Sequence, residues 1–239
     1  ERKGVLRQVR DLEGLNVHLA EWEADSASTP IGYVLSMEGA DGIVSEEYVE
    51  DWWDEGLRVA SLCHYGISAY SHGTQAPGGL TSRGAPLLRK MDAAGIILDV
   101  SHLAETAFWE ALDHFGGRVI ATHNCCRALC EGDRQLDDAQ IQAMIGRQGV
   151  IGTAFDDWML SPEWDNDAID NTGITLETVV DHIDHVDQLE QLAVDLLDHV
   201  LGAAGRQRQA RYRAVLGRRH VQAFDIEAAL REHAGHAHE

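Results

Sequence analysis

Short apolar runs alternate with amphipathic stretches along most of the chain. Five runs have the length and aliphatic content of buried β-strands: residues 31–37, 57–63, 96–100, 118–122 and 150–155. Four stretches between them have helical spacing: residues 45–54, 83–94, 104–115 and 137–147. A longer helical stretch begins near Thr175, and residues 1–25 are also predicted to contain helical runs.

Strands that alternate with helices of this length predict parallel β/α units. The strand runs are almost continuously apolar, which is typical of parallel strands covered by helices. A closed (β/α)8 TIM barrel needs eight such units in about 250 residues, and the pattern supplies roughly five. The sequence therefore predicts an α/β fold that is either an open sheet or an incomplete (β/α)8 barrel.

The composition of the chain changes near residue 188. No clear strand pattern follows, and residues 206–219 contain six arginines. His233, His236 and His238 lie in a tail of small and charged residues. We therefore expect a partial barrel over residues 1–188 and a diverged helical segment with a loose His-rich tail over residues 189–239.

Acidic residues dominate the charge of the chain. Its 239 residues include 40 Asp or Glu and 19 Lys or Arg, a formal net charge of −21. Such a surface repels phosphate, which argues against nucleic acid or an anionic membrane as a partner. No apolar run approaches the roughly 20 residues of a membrane-spanning helix. The four cysteines have neither the density of a disulfide framework nor a CxxC zinc spacing, so buried free thiols are the preferred interpretation.

Four predicted strands end in a residue that can bind a metal or handle a proton. These residues are Glu38, His64, His102 and His123. Because the carboxyl ends of parallel strands point to one face, the four side chains are expected to converge there. Two imidazoles and a carboxylate are a normal ligand set for catalytic zinc. Taken singly, a histidine at the end of a strand is usually a polar cap and a glutamate before glycine is usually a turn residue. The convergence of four such residues favours a metal site.

Several motifs, taken together and in order, resemble those of the membrane dipeptidase (renal dipeptidase) family, peptidase M19. The resemblance covers about residues 30–188. The motifs are MEGAD at residues 37–41, GLR at 56–58, SLCH at 61–64, LDVSH at 98–102, ATHN at 121–124 and DHIDH at 181–185. The family implies a (β/α)8 barrel and a two-zinc site that hydrolyses dipeptides through a metal-bridging hydroxide.

The resemblance also assigns roles to individual residues. Glu38 resembles the carboxylate that bridges both zinc ions, and His102 and His123 resemble the imidazole ligands of one of them. His64 resembles the histidine that contacts the substrate and polarises the tetrahedral intermediate. Arg134, 11 residues after His123, resembles the arginine that binds the substrate carboxylate. A solvated loop position is the alternative interpretation of Arg134.

Two elements of the family pattern are missing. The family has a His-x-Asp pair on its first strand, and no such pair precedes Glu38, since His18 is followed by Leu19 and Ala20. The Gly-x-Asp-x-Asp-Gly motif of the last strand does not follow His185. The second zinc position therefore lacks its His-x-Asp ligands. Our hypothesis is that the chain is an internal piece of the barrel without its first strands, with its true N-terminus upstream of Glu1. Its C-terminal part has then diverged, been replaced or been mistranslated.

Two further features allow more than one interpretation. Asp99, on the same strand as His102, either supports the polar surroundings of the site or has a structural role in the core. The pairs Asp181/His182 and Asp184/His185 place two imidazoles on one helical face. We favour a structural role in an outer barrel helix for these pairs over a separate metal site.

Three classes of function are therefore carried forward. The leading one is a zinc-dependent dipeptidase with a dipeptide as substrate, of which this chain is a fragment. The second is a catalytically inactive remnant of that fold, and the third is another amidohydrolase-type barrel hydrolase acting on a lactone or phosphoester. Members of the family often form dimers, so a homodimer is one state that the resemblance allows. We favour a cytoplasmic location, although the sequence leaves secretion open.

Overall fold

Seven short β-strands, all paired in parallel, run through residues 4–165 and 173–192, the parts of the chain that the computed structural model describes. They are β1 (Leu6–Gln8), β2 (Ile31–Tyr33), β3 (Leu35–Met37), β4 (Leu57–Ser61), β5 (Ile97–Asp99), β6 (Val119–Asn124) and β7 (Val150–Thr153). The α-helices are α1 (Leu12–Ala24), α2 (Val49–Asp54), α3 (Gly84–Ala94), α4 (Glu105–His114), α5 (Asp138–Gly146) and α6 (Asp157–Leu160). Two short 3-10 helices, Ala40–Ile43 and Glu46–Tyr48, lie between β3 and α2.

The strands form a five-stranded sheet in the order β3-β4-β5-β6-β7 and a separate parallel pair, β1-β2. In the larger sheet each strand lies beside the next one in the chain, with a helix in every crossover. A doubly wound sheet would instead reverse its strand order at a switch point. Sequential parallel order is that of a barrel wall, so the described residues form part of a (β/α) barrel.

The prediction of helical runs over residues 1–25 is confirmed by α1 and is wrong for the residues before it. Residues 6–8 form β1, which pairs with β2 in register from Leu6 opposite Ile31. The Val9 amide extends this pairing by donating to the Tyr33 carbonyl at 2.8 Å. The four-residue spacing of Val5 and Val9 suggested a helix, but pairing with a strand distant in sequence decides the local structure.

The predicted strand over residues 31–37 is divided in two. β2 pairs with β1, whereas β3 pairs with β4 and carries a register shift between Leu35 and Ser36. Val34, between the two strands, is exposed. The other four predicted strands and the four predicted helices between them are confirmed, with end shifts of a few residues. The short helix α6 was not predicted.

The main core lies between the five-stranded sheet and its crossover helices. α2 packs against β4, α3 against β5 and α5 against β7. Its largest fully buried apolar side chains include Leu57, Leu98, Leu88 and Phe108. Such burial contributes roughly 1.5–3 kcal/mol for each large side chain. This packing fixes the strands whose carboxyl ends carry the candidate site.

Helix α5 begins where the sequence predicts, at a reciprocal cap. The Asp137 carboxylate accepts a hydrogen bond from the Gln140 amide at 2.8 Å, and the Gln140 side chain accepts one from the Asp137 amide at 3.0 Å. Both bonds satisfy backbone donors that the helix leaves unpaired. Among the described residues, no helix is both long enough and apolar enough to cross a bilayer.

The described residues belong to two compact units, one ending at Val186 and the other beginning at Asp187. In the first unit, residues 176–186 are helical, which agrees with the helix predicted from Thr175. In the second, residues 187–192 are helical. The predicted division at residue 188 into a partial barrel and a diverged segment remains a prediction. The Arg-rich run and the His-rich tail lie outside the described residues.

Candidate metal centre

The carboxyl ends of four neighbouring strands supply the candidate site. Glu38 directly follows β3, His64 lies three residues beyond β4, and His102 lies three residues beyond β5. His123 is the penultimate residue of β6. The four residues therefore lie at one side of the sheet, to which parallel strands direct their carboxyl ends.

Three of these residues form a tight group of potential ligands. The Glu38 Oε1 atom lies 3.1 Å from His102 Nε2 and 3.2 Å from His123 Nε2. The two imidazole Nε2 atoms lie 3.0 Å apart. Among the described residues, these three are the one set of His, Cys, Asp or Glu side chains whose ligand atoms lie close enough together to hold a metal ion.

The geometry of the group fits a small cation. Ligand atoms around a tetrahedral zinc ion lie about 3.3 Å apart, because zinc bonds to nitrogen and oxygen are about 2.0–2.2 Å long. The three separations are close to that value. Nitrogen and carboxylate donors are also those that zinc prefers. Glu38, His102 and His123 are therefore suited to hold a zinc ion.

His102 is held in an unusual backbone conformation. Its φ angle is +67°, in the left-handed region that non-glycine residues rarely adopt. Its carbonyl accepts hydrogen bonds from the Thr74 amide at 2.8 Å and the Thr74 hydroxyl at 3.2 Å. Strained residues of this kind persist only where the surrounding structure fixes them, and they cluster at functional sites.

Burial also controls the protonation of His102. Burial, followed by the charges of Arg134, His64 and His123, lowers the pKa of His102 to about 3. The imidazole is therefore neutral at physiological pH, as a metal ligand must be. The Nη2 group of Arg134 lies 3.3 Å from its Nε2 atom. Since guanidinium can only donate, this contact favours the lone pair at Nε2.

Arg134 is buried beside the ligand group and is not a solvated loop residue. It is 3% exposed, and its Nη2 atom donates to the His123 carbonyl at 2.6 Å. Its Nη1 atom is buried without a hydrogen-bond partner in the described structure. Burial lowers the pKa of Arg134, although the nearby Tyr65, Asp99 and Glu38 oppose this shift. An arginine remains protonated in proteins, so it brings a fixed positive charge to the site.

His64 lies at the solvent-exposed side of the same group of ligands. Its Nε2 atom is 3.8 Å from Glu38 Oε1, and half of its side chain is exposed. Its ring centroid lies 4.3 Å from that of His102. His64 is outside the three-residue ligand group, although it faces the same carboxylate.

Tyr65 and Thr122 were missed by sequence reasoning. The Tyr65 ring meets the rings of His64 and His102 edge-on, with centroid distances of 4.6 and 4.9 Å. The Thr122 hydroxyl lies 2.8 Å from His123 Nδ1. Tyr65 could have been found from its position after His64 at a strand end. Thr122 gives no such signal, because a β-branched residue is ordinary in a strand.

His18 and His182 are not members of the ligand group. His18 is buried in α1 with its ring 5.9 Å from Trp22. The His182 Nδ1 atom accepts from the Cys126 amide, and its Nε2 atom lies 3.0 Å from the Leu160 carbonyl. His182 therefore has both ring nitrogens engaged with backbone, which supports the structural interpretation of this helix. The four cysteines are free and buried, in agreement with the sequence.

The order of the strands defines a class of protein, the (β/α)-barrel proteins, whose functional sites lie at the carboxyl ends of their strands. The protein-family model for membrane dipeptidases, Peptidase family M19, matches residues 6–191. The chain belongs to the membrane dipeptidase family.

Curated relatives match part of the chain, and one of them is named a dipeptidase. An uncharacterized protein from the PQQ-III 3′ region of Acinetobacter calcoaceticus is 28% identical over 166 residues, which cover 66% of this chain and 51% of the relative. Dipeptidase tcpJ of Claviceps purpurea is 30% identical over 160 residues, which cover 64% of this chain and 36% of the relative. The chain thus spans about a third to a half of the length of these relatives.

Solved structures share the fold. A metallopeptidase from Rhodobacter sphaeroides, in complex with a phosphinate mimic of the dipeptide L-Ala-D-Ala, matches with a TM-score of 0.65 and 25% identity. That match covers 79% of this chain and 53% of the other. The family M19 metallopeptidase called dipeptidase AC matches with a TM-score of 0.66 and 24% identity, over 79% of this chain and 55% of the other.

Proposed function

We propose that this chain provides one metal position and part of the substrate site of a zinc-dependent dipeptidase. The observation that carries the proposal is the convergence of Glu38, His102 and His123 within 3.2 Å of one another. Membership of the membrane dipeptidase family supports the same reaction. A cytoplasmic location and a homodimer remain predictions.

The three ligand residues would hold zinc at the carboxyl ends of the strands. Zinc at such a site supplies Lewis acidity that activates water as a nucleophile near neutral pH. Glu38 contributes the negative charge of the ligand set, and its exposed half leaves it accessible for a second cation. The neutral state of His102 keeps its lone pair available for the ion at the same pH.

Two other side chains would act on the dipeptide. His64 is exposed at the mouth of the site, so its ring can donate a hydrogen bond to the oxygen of the scissile carbonyl as negative charge develops there. Arg134 has a guanidinium nitrogen without a partner in the described structure. A free guanidinium donor suits the terminal carboxylate of a dipeptide. This pairing would restrict the substrate to short peptides with a free C-terminus.

The alternative proposal is a catalytically inactive remnant. One observation favours it: the described residues contain a single three-residue ligand group. A second ion would then share Glu38 but lack the His-x-Asp pair that the family pattern places on its first strand.

The deciding experiment measures zinc content and hydrolysis on the 239-residue chain, with Glu38→Gln as the matched variant. Dipeptides with L- and D-configured C-terminal residues are supplied, together with a lactone and a phosphoester. Zinc-dependent dipeptide hydrolysis that Glu38→Gln abolishes would support the dipeptidase. Bound zinc without turnover of any substrate would favour the remnant, and lactone or phosphoester turnover would favour another barrel hydrolase. No zinc in the wild-type chain would contradict both hydrolases and would favour the inactive remnant.

A further inference from the structure

Three polar side chains form a continuous hydrogen-bonded chain behind the ligand group. The Asp99 Oδ2 atom lies 2.6 Å from the Thr122 hydroxyl, and that hydroxyl lies 2.8 Å from His123 Nδ1. Asp99 is 6% exposed, whereas His123 faces the site with its other nitrogen. These hydrogen bonds therefore link Asp99, at the buried end of β5, to the candidate metal ligand His123 on β6.

Both carboxylate oxygens of Asp99 accept hydrogen bonds. Its Oδ1 atom accepts hydrogen bonds from the Ser101 amide at 3.0 Å and the Thr122 amide at 3.1 Å. A carboxylate can only accept, so the Thr122 hydroxyl must donate its one proton to Oδ2. The contact of 2.6 Å is typical of a hydroxyl bound to a charged acceptor.

The neighbouring serine does not compete for this proton. The Ser101 hydroxyl lies 3.3 Å from the Thr122 hydroxyl but only 2.9 Å from the Asn124 Oδ1 atom. The Asn124 Nδ2 atom donates to the Arg134 carbonyl at 3.1 Å, which identifies Oδ1 as the acceptor facing Ser101. Ser101 therefore donates to Asn124, and the Thr122 hydroxyl remains committed to Asp99.

From this order of donors we infer that Thr122, oriented by Asp99, is the positioning residue that fixes the tautomer of His123. With its proton given to Asp99, the Thr122 oxygen can only accept, so His123 carries its proton on Nδ1. The lone pair then lies on Nε2, which faces Glu38 at 3.2 Å and His102 at 3.0 Å. Outer hydrogen bonds of this kind commonly orient metal-binding histidines.

Only the effect of the tautomer on zinc binding rests on the proposed function. The tautomer can be read in the metal-free chain, where Thr122 must outweigh the contacts of His123 Nε2 with Glu38 Oε1 and His102 Nε2. Its effect on zinc affinity requires the metal site. Two measurements therefore separate the two claims. One reads the ring nitrogens of His123 by ¹⁵N NMR without metal, and the other reads zinc affinity by competition with a chromophoric chelator.

Thr122→Val and Thr122→Ser are the matched variants. Valine keeps the shape of the side chain without the hydroxyl, whereas serine keeps the hydroxyl. In the wild type and in Thr122→Ser, the His123 signals, assigned by their loss in His123→Gln, are expected to show the proton on Nδ1. In Thr122→Val they are expected to move towards a mixture of tautomers, with zinc binding weakened about 10- to 100-fold.

Asp99→Asn gives the sharpest test. The oxygen of the introduced carboxamide must stay with the two backbone amides, so its NH2 group would donate to the Thr122 oxygen. The Thr122 hydroxyl would then donate to His123 Nδ1 and drive the ring proton onto Nε2, against the metal. We expect the opposite tautomer and a greater loss of zinc affinity than in Thr122→Val, with circular dichroism confirming the fold of each variant.

The outcomes separate the two claims. A wild-type His123 with its proton on Nε2, or folded Thr122→Val and Asp99→Asn chains with the wild-type tautomer, would overturn the inference. The expected tautomers without zinc binding to the wild type would support the positioning of His123 and contradict the proposed metal site.

Discussion

The Nε2 atoms of His102 and His123 lie 3.0 Å apart, although 21 positions separate the two residues in the chain. The β5–β6 pairing brings them together, since Leu98 lies opposite Val119 and Asp99 opposite Ile120. His102 has a left-handed backbone conformation just beyond the end of β5. Two imidazoles that face one carboxylate offer a cation three ligand atoms at once. We therefore expect the chain to bind zinc.

Zinc is expected to raise the unfolding temperature of the chain. A ligand at 100 times its dissociation constant stabilises the folded state by about 2.7 kcal/mol, which corresponds to roughly 5–10 °C for a chain of this size. The measurement is a thermal melt with and without zinc. His123→Gln should lose the shift while keeping the C-terminal histidines, so an equal shift in this variant would assign the zinc to other residues.

A second prediction concerns the loop that covers the ends of β4 and β5. A Cβ atom on Gly73 would lie 2.1 Å from the His64 carbonyl oxygen, a backbone atom that cannot move away freely. The adjacent Thr74 amide donates to the His102 carbonyl. Gly73→Ala should therefore displace both site histidines and cost about 1–3 kcal/mol of unfolding free energy.

Gly146→Ala is the matched control for this substitution. Gly146 ends α5, and a Cβ atom there would meet no atom within 4 Å. Alanine should leave stability unchanged or raise it by up to about 1 kcal/mol. Urea unfolding of both variants decides the matter, and equal stabilities would contradict the close approach at Gly73.

The contrast between Glu38 and Thr122 shows what the sequence can predict. Glu38, His64, His102 and His123 were predicted because parallel strands bring their carboxyl ends to one face, whatever the details of packing. The role of Thr122 depends on which of its neighbours donates and which accepts, and this follows only from the positions of Asp99 and Ser101. A hydrogen-bond order of this kind has no pattern in the sequence.

Arg134 and β1 mark two other limits. The place of Arg134 beside the ligands came from the family resemblance, since a charged residue in a loop is usually solvated. Only the structure reveals that it is buried. β1 was predicted as helix because its pairing partner lies 25 residues later, from Leu6 to Ile31. The spacing of apolar residues within a short segment carries no information about a strand-pairing partner that distant in the chain.

A third prediction concerns His182, whose two ring nitrogens engage the Cys126 amide and the Leu160 carbonyl. His182 is 1% exposed. His182→Ala leaves both backbone groups without their partner and opens a cavity. Since each unsatisfied buried group costs about 1–3 kcal/mol, we expect a loss of about 2–4 kcal/mol in urea unfolding, at the upper end of ordinary point mutations.

His185 is the matched control on the same helix. Its Nε2 atom pairs with Asp138 Oδ1 at 2.7 Å, and its side chain is 21% exposed. Ion pairs at the surface contribute only about 0.2–1 kcal/mol, so His185→Ala should be nearly neutral. If His182→Ala were equally neutral, the structural role assigned to His182 would be wrong.

The last prediction concerns alkaline pH and the thiol of Cys126, which contacts the His182 carbonyl at 3.3 Å. Burial, followed by the charge of Cys125, raises the pKa of Cys126 from 9.0 to about 12. The folded chain therefore retains this proton after the unfolded chain has released it. Its contribution to stability is complete below pH 9 and is lost as the pH rises from 9 towards 12, by at most about 1.4 kcal/mol per pH unit.

Cys126→Ala removes the titration, while the cavity it leaves has a cost that does not depend on pH. The wild type should therefore lose its advantage over Cys126→Ala as urea unfolding is repeated, under reducing conditions, at pH 8, 9, 10 and 10.5. Cys130→Ala serves as the comparison, because the Gln135 side chain opposes the rise that burial causes in the pKa of Cys130. A constant difference between wild type and Cys126→Ala over this range would mean that the thiol ionises equally in both states.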